Sequence, residues 1–452
     1  MSNLLPTAPS VKPTSFSSSK VTSNMKVSSL IIQQNISLFG STPVGQQSVD
    51  YDLTSIVNLL RSYNLANDPF IGAVGPLIGT GSIGTARQGW SVSISKDEST
   101  AIVGGDTDND NVGAAWIFVR NGDTWSQQAK LIGTGYTGTN NIFQGESTGL
   151  SSDGNTAVVG GPYDNVAVGA IWIFVRIGTI WTQQAGPLIG TGYIGVDNIY
   201  QGWASAISAD GNTVVSGGLG HNSDLGAVWV FVRNGTSWSQ QGGPLVGTGG
   251  TTGAYQGWSV DISSDGNNIV SGGPTDNTGG TNVGAVWVFV RNGAVWSQQA
   301  GPLIGTLPTG GSQQGLSVSI YEDTIAVGGP NNFYNRGNVW VFVRNGTTWT
   351  QEVALINGSG QETGDTQQQG FSVSLSKDKL VFGGPGYNSN IGAIWIFTRT
   401  NGLWTQKYSR ITGSGFTGVP QQGYSVSSSE NYVIVGGYKN NFDEGAIWIF
   451  NV

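Results

Sequence analysis

The chain contains no cysteine, so disulfides and thiolate metal sites are both excluded. Its single histidine, His221, rules out multi-histidine metal centres and leaves one candidate base for a histidine-dependent triad. Charged residues are only 10% of the 452, and the net charge of −8 disfavours a nucleic-acid partner. No apolar run reaches membrane-spanning length, so no membrane span is expected. The opening MSNLLPTAPSVKPTSFSSSK has no basic segment followed by an apolar block, so no signal peptide is expected and the compartment stays open. What is abundant is glycine, at 72 residues, alongside 16 Trp, 14 Tyr and 16 Phe. That much aromatic surface is costly to leave in water and argues for a packed core, with short strands and tight turns at the glycines.

A repeat organises these residues. Gln-Gly recurs at Gln88, Gln144, Gln201, Gln256, Gln314, Gln369 and Gln422, each followed by a short alternating strand. The mean spacing is about 56 residues, a period typical of stacked architectures. A Gly-Gly then ends a second apolar strand, as at Gly217-Gly218, and a Trp-x-Phe strand follows, led by Trp116, Trp172, Trp229, Trp287, Trp340, Trp395 and Trp448. A fourth strand carries another Trp in six copies: Trp125, Trp181, Trp238, Trp296, Trp349 and Trp404. Asn-Gly between the third and fourth strands is a strong hairpin signal, because both residues tolerate positive φ. The third strand is apolar on both faces, as in Val228-Trp229-Val230-Phe231-Val232, so each four-stranded unit must be covered on both sides. Radial stacking satisfies that requirement, and the spacing predicts an all-β, seven-bladed β-propeller over residues 70–452. The seventh copy lacks a fourth strand, whereas Pro69–Gly79 matches the end of one. An N-terminal strand is therefore expected to complete the last blade and close the ring.

Gln256-Gly-Trp-Ser-Val-Asp-Ile-Ser-Ser-Asp-Gly266 and Gly272-Gly-Pro274 with Gly284-Ala-Val-Trp-Val-Phe289 resemble the FG-GAP repeats of integrin α-subunit propellers, and still more their shorter bacterial version. Gln-Gly stands where that family has Phe-Gly. The resemblance implies a fold more than a function. The family's calcium cage does not carry over, because the first connection is only Ser152-Asp153-Gly154-Asn155 or similar, too few oxygens for calcium.

Other motifs read as structural. Gly-x-Gly-x-x-Gly at Gly79, Gly133, Gly190 and Gly413 opens no helix in a βαβ unit and is read as a glycine-rich connection between blades. Asp106, Asp108 and Asp110 are a weak calcium candidate, and a solvated turn is the preferred reading. The Arg of Phe-Val-Arg (Arg120, Arg176, Arg233, Arg291, Arg344, and Arg399 of Phe-Thr-Arg) sits beside the hairpin turn and is read as structural. Sequons at Asn35, Asn234, Asn345 and Asn357 are read as chance matches. No cofactor is expected, and no acid–base set repeats at equivalent positions, so an enzyme is not expected.

The second–third and fourth–first connections vary most, and in a propeller both emerge on one face. Phe143, Tyr163, Asp164, Tyr200, His221, Asp224, Tyr255, Phe333, Tyr334, Arg336, Tyr387 and Phe442 are the candidate binding residues on that face. Residues 1–69 lie outside the repeat. They read as a Ser/Thr/Pro-rich arm followed by a short amphipathic helix over about 52–65, capped by Asp52. The expectation is a recognition or structural module that binds a protein or glycan on the loop face. The arm is expected to tether it to a larger assembly such as a virus particle or a cell surface. The alternatives are a propeller lectin with a sugar site in each blade, or an enzyme using the central channel.

Overall fold

A computed structural model describes residues 72–452 apart from 139, 196–197 and 361–365; the expected arm and its helix over about 52–65 lie outside the described residues. The described strands form seven four-stranded antiparallel sheets, the blades of an all-β propeller. Blade one is Ser91–Ile94, Thr100–Gly105, Ala114–Asn121 and Thr124–Leu131, and the later blades repeat that order. The first strand of every blade lines the central channel. No helix among the described residues is long and apolar enough to cross a membrane.

The ring closes as the repeat predicts. Gly72–Leu77 pairs with the last strand, Ile447–Asn451, in the register Gly72 to Asn451 and Val74 to Ile449. Blade seven thus takes its outer strand from upstream of blade one, and no strand edge is left between the two ends. A second lock runs along the inner strands. Ser425 Oγ of blade seven donates to the Gly89 carbonyl of blade one at 2.8 Å, as Ser91 does to Gly145. The same bond recurs from blade to blade except at blade three, where Ala204 replaces the serine.

The core lies between blades. Val158, Ile171 and Ile173 of blade two pack on Val214, Trp229 and Phe231 of blade three, and the other blade pairs do likewise. All seven third-strand tryptophans are fully buried. Each indole donates to a backbone carbonyl in the connection leading into its own blade, as Trp229 does to Thr191 at 3.0 Å. The repeated Leu-x-Gly has its reason here, since a Cβ on Gly190 would lie 2.1 Å from the Trp229 ring. The repeated glutamine has a reason too. Gln201 accepts from Gly190 N–H at 2.6 Å and donates to the Gly190 carbonyl at 2.9 Å, so one side chain satisfies both buried groups of the glycine that the indole requires. All seven repeats carry this clamp.

Away from the variable loops, the short turns are cross-braced. Asp153 accepts from Ser151 and Asn155, and Asn155 Oδ1 accepts from Arg176 Nε at 2.9 Å. Arg176 also lies over the Trp181 ring at 5.3 Å and donates to Thr100 of the preceding blade. The Ser-x-Asp-Gly-Asn turn and the repeated arginine are therefore parts of one brace.

Candidate functional site

The variable face is built from two backbone devices. The first is a turn at the entrance to each inner strand. The residue before Gln-Gly has φ between 56° and 60° in all seven repeats: Arg87, Phe143, Tyr200, Tyr255, Gln313, Gln368 and Gln421. Its carbonyl accepts the N–H three residues on, as Arg87 does from Trp90 and Tyr255 from Trp258. The turn brings the side chain before Gln-Gly beside the one after it. The latter position holds Trp90, Trp203, Trp258, Phe371 and Tyr424, with Leu316 and Glu146 in the other two repeats, and all seven are half-buried.

These side chains form a collar at the channel mouth. One arc runs from Phe143 to Tyr163 (4.9 Å between ring centroids), Tyr200 (5.3 Å) and Trp203 (6.3 Å). It continues from Trp203 to Trp258 (5.2 Å) and Tyr255 (6.3 Å). A second arc joins Trp90, Tyr424, Tyr438 and Phe371 at 4.5–4.9 Å. Tilted and edge-on rings at these separations attract beyond simple burial. Phe143, Tyr163, Tyr200 and Tyr255 are thus brought together as one surface. The sequence reading missed Trp90, Trp203, Trp258, Phe371, Tyr424 and Tyr438. The signal for the first five was an aromatic directly after Gln-Gly in five of seven repeats.

Three departures from the repeat meet in the collar. Arg87 stands where other repeats have an aromatic or glutamine, Asp106 where most have proline or leucine, and Glu146 where most have an aromatic. The Arg87 guanidinium lies 3.7 Å from the Trp90 ring centroid and 5.1 Å from that of Tyr438, and pairs with Asp106 Oδ2 at 3.2 Å. Asp106 Oδ1 is buried without a hydrogen-bond partner. Burial pushes the Asp106 carboxyl up to about 6 against the pull of Arg87. Burial, reinforced by the charge of Asp106, pushes Glu146 up to about 8. Burial and the nearby Glu146 hold the Tyr424 hydroxyl well above its ordinary range.

The second device is a left-handed turn in the second–third connection. Three consecutive residues have positive φ in six blades: 109–111, 165–167, 222–224, 333–335, 388–390 and 441–443. Asn and Asp tolerate this region, so much of the Asn richness of these loops answers a backbone need. Val166, Phe333, Tyr334 and Phe442 adopt it without that tolerance, and Tyr334 (94%) and Phe442 (85%) are almost fully exposed.

Just before each left-handed turn a buried side chain ties it to the preceding connection. Asp108 accepts from Ile83 N–H at 2.7 Å, Asp164 from Thr137 at 2.6 Å, and His221 Nδ1 from Ile194 at 3.1 Å. Asn332 and Asn440 do the same. Tyr387 fills this place in blade six, edge-on to Trp395. Asp164, His221 and Tyr387 were expected on the exposed face; all three are buried, and Asp164 and His221 are anchors of the loop backbone. His221 needs an unprotonated Nδ1 there, and burial lowers its pKa. Asp224, Phe333, Tyr334, Arg336 and Phe442 are exposed on the turns, and of these Asp224 reaches the collar through a side-chain hydrogen bond with Tyr255. Asp106, Asp108 and Asp110 do not converge: Asp108 pairs with Lys130 at 2.6 Å, and Asp110 is exposed. Among the described residues no group of three His, Asp or Glu side chains is arranged to hold a metal ion.

Deeper in the channel, Asp261 accepts from Ile262 N–H and from Ile320 N–H of the next blade, both at 2.8 Å. Ser319, Ser374 and Ser427 make the corresponding bond to their next blades, so Asp261 belongs to an inter-blade series even though burial lifts its pKa to about 6.

Fold and site together define a seven-bladed β-propeller with an aromatic collar at the loop-side mouth of its channel. No protein-family model matches the chain, and no curated protein sequence matches it.

Proposed function

We propose that the protein is a non-enzymatic recognition module of the FG-GAP type. The collar and surrounding loops bind a protein or glycan, and residues 1–69 tether the propeller to a larger assembly such as a virus particle or cell surface. The observation that carries this reading is the collar itself. Half-buried aromatic rings on a rigid ring of strands offer a preformed apolar surface with polar edges, which suits a binding site. Five of the seven repeats supply an aromatic at the same position, which favours the lectin form of the reading. The Asp106–Glu146 carboxyl pair favours, as a second reading, acid–base chemistry at the mouth.

The test compares three proteins on glycan arrays and in pull-downs from the native source: the full chain, the Trp203→Ala/Trp258→Ala double variant, and a chain lacking residues 1–69. Circular dichroism confirms that each is folded. Binding that survives loss of the arm and disappears with the collar supports the proposal. Binding that follows the arm and ignores the collar overturns it. Hydrolysis of a glycoside or ester panel, abolished by Glu146→Gln, would establish the enzymatic reading instead.

A further inference from the structure

The three residues that break the repeat at the collar share one chemistry. Arg87 is a cation held between two rings, Trp90 and Tyr438, and against one oxygen of Asp106. Ring faces attract cations through their quadrupole, and a carboxylate at the ring edge adds charge to that attraction. The neighbouring arc repeats these ingredients. Phe143, Tyr163 and Tyr200 stand in sequence at 4.9 and 5.3 Å. Glu146 follows Phe143 in the same turn, its N–H bonded to the Phe143 carbonyl at 3.1 Å. Asp106 Oδ1 is buried nearby without a partner, and both carboxyls act electrostatically on Tyr163. A buried carboxylate oxygen with no donor costs free energy, and positive charge placed nearby offsets part of that cost through space.

We propose that this side of the collar binds an organic ammonium cation, with its positive head against Phe143, Tyr163 and Tyr200 and its charge answered by Asp106 and Glu146. The inference rests on the recognition reading and narrows it to a ligand that carries an amine or quaternary ammonium group. The charged and titratable groups facing the site are Arg87, Asp106 and Glu146, with Tyr163, Tyr424 and Tyr438 from the surrounding loops and strand entrances. A bound cation favours the ionised form of Glu146. Binding therefore releases a proton and tightens as pH rises toward the range in which Glu146 titrates unaided.

Saturation-transfer NMR on the full chain tests this with choline, n-butylammonium, and 3,3-dimethylbutanol as the neutral isostere of choline. Choline is expected to bind about tenfold or more tightly than the alcohol, and more tightly at about pH 9 than at about pH 7. Glu146→Gln and Tyr163→Ala are each expected to weaken choline by about tenfold. Ile180→Ser, at an exposed position on the outer hairpin of blade two, should bind as the wild type does. Equal binding of the alcohol, unchanged binding by Glu146→Gln, or no choline signal at 100-fold excess in the folded wild type overturns the inference. If both ammonium probes fail while the Trp203→Ala/Trp258→Ala variant still loses its native partner, the recognition reading stands and the cation inference alone falls.

Discussion

His221 shows how a residue that looks catalytic in a sequence becomes structural in three dimensions. Its Nδ1 accepts a backbone N–H, a task done by Asp108, Asp164, Asn332 and Asn440 in other blades. The fold therefore favours the neutral imidazole, and burial lowers its pKa. The unfolded chain takes up a proton near the ordinary value of about 6.5, before the folded chain does. Stability is unaffected at higher pH and falls as pH drops below that value. His221→Asn keeps an acceptor in place and does not titrate. Its melting temperature should match the wild type near pH 8 and exceed it near pH 5, as read by differential scanning calorimetry. Glu146 works in the opposite sense. Its raised pKa means that the unfolded state loses its proton first, so stability falls as pH climbs from about 4.5 to about 8. Glu146→Gln should therefore melt higher than the wild type at pH 8, with the gap closing toward pH 5.

At the scale of elements, the left-handed turns and the glutamine clamps explain most of what the repeat conserves internally. Tyr334 and Phe442 hold positive φ while exposed, so little packing offsets their backbone strain. Tyr334→Asn and Phe442→Asn should each stabilise the protein by about 0.5–1 kcal/mol in urea denaturation. Neither loss of stability nor a neutral result is compatible with strain at those tips. The clamp predicts the reverse. Gln201→Ala strands both backbone groups of Gly190 beneath the Trp229 ring and should cost about 2–4 kcal/mol, measured the same way. These elements also show where the sequence was legible. Gln-Gly, Gly-Gly and Trp-x-Phe recur because each meets the same kind of partner in every blade, so the repeat exposes them. The Asn-rich loops were legible as variable but not as left-handed. Asn serves both a strained backbone and a polar surface, and nothing in its spacing separates the two.

For the whole molecule, closure by Gly72–Leu77 joins the first and last described strands in one sheet. A protein truncated to begin at Gly72 keeps every described strand, whereas one truncated to begin at Gly79 leaves Ile447–Asn451 as an unpaired edge. The second should melt lower and self-associate on size-exclusion chromatography, because an open apolar edge templates pairing with another chain. Equal melting of the two would remove closure from the account of stability.

Seven blades, four strands per blade and an N-terminal strand completing the last one are properties the sequence determined by itself, because alternation and period are local and repeat. The aromatic candidates Phe143, Tyr163, Tyr200 and Tyr255 were also readable, as variable residues on loops that topology sends to one face. Only the tertiary structure decided that Asp164, His221 and Tyr387 turn inward. Asp164 and His221 are held inward by partners in the preceding connection, 27 residues upstream in each case. The meeting of Arg87, Asp106 and Glu146 was likewise decided in three dimensions. They occupy three different positions of the repeat in two successive blades, and only the curvature of the ring carries those positions to one mouth.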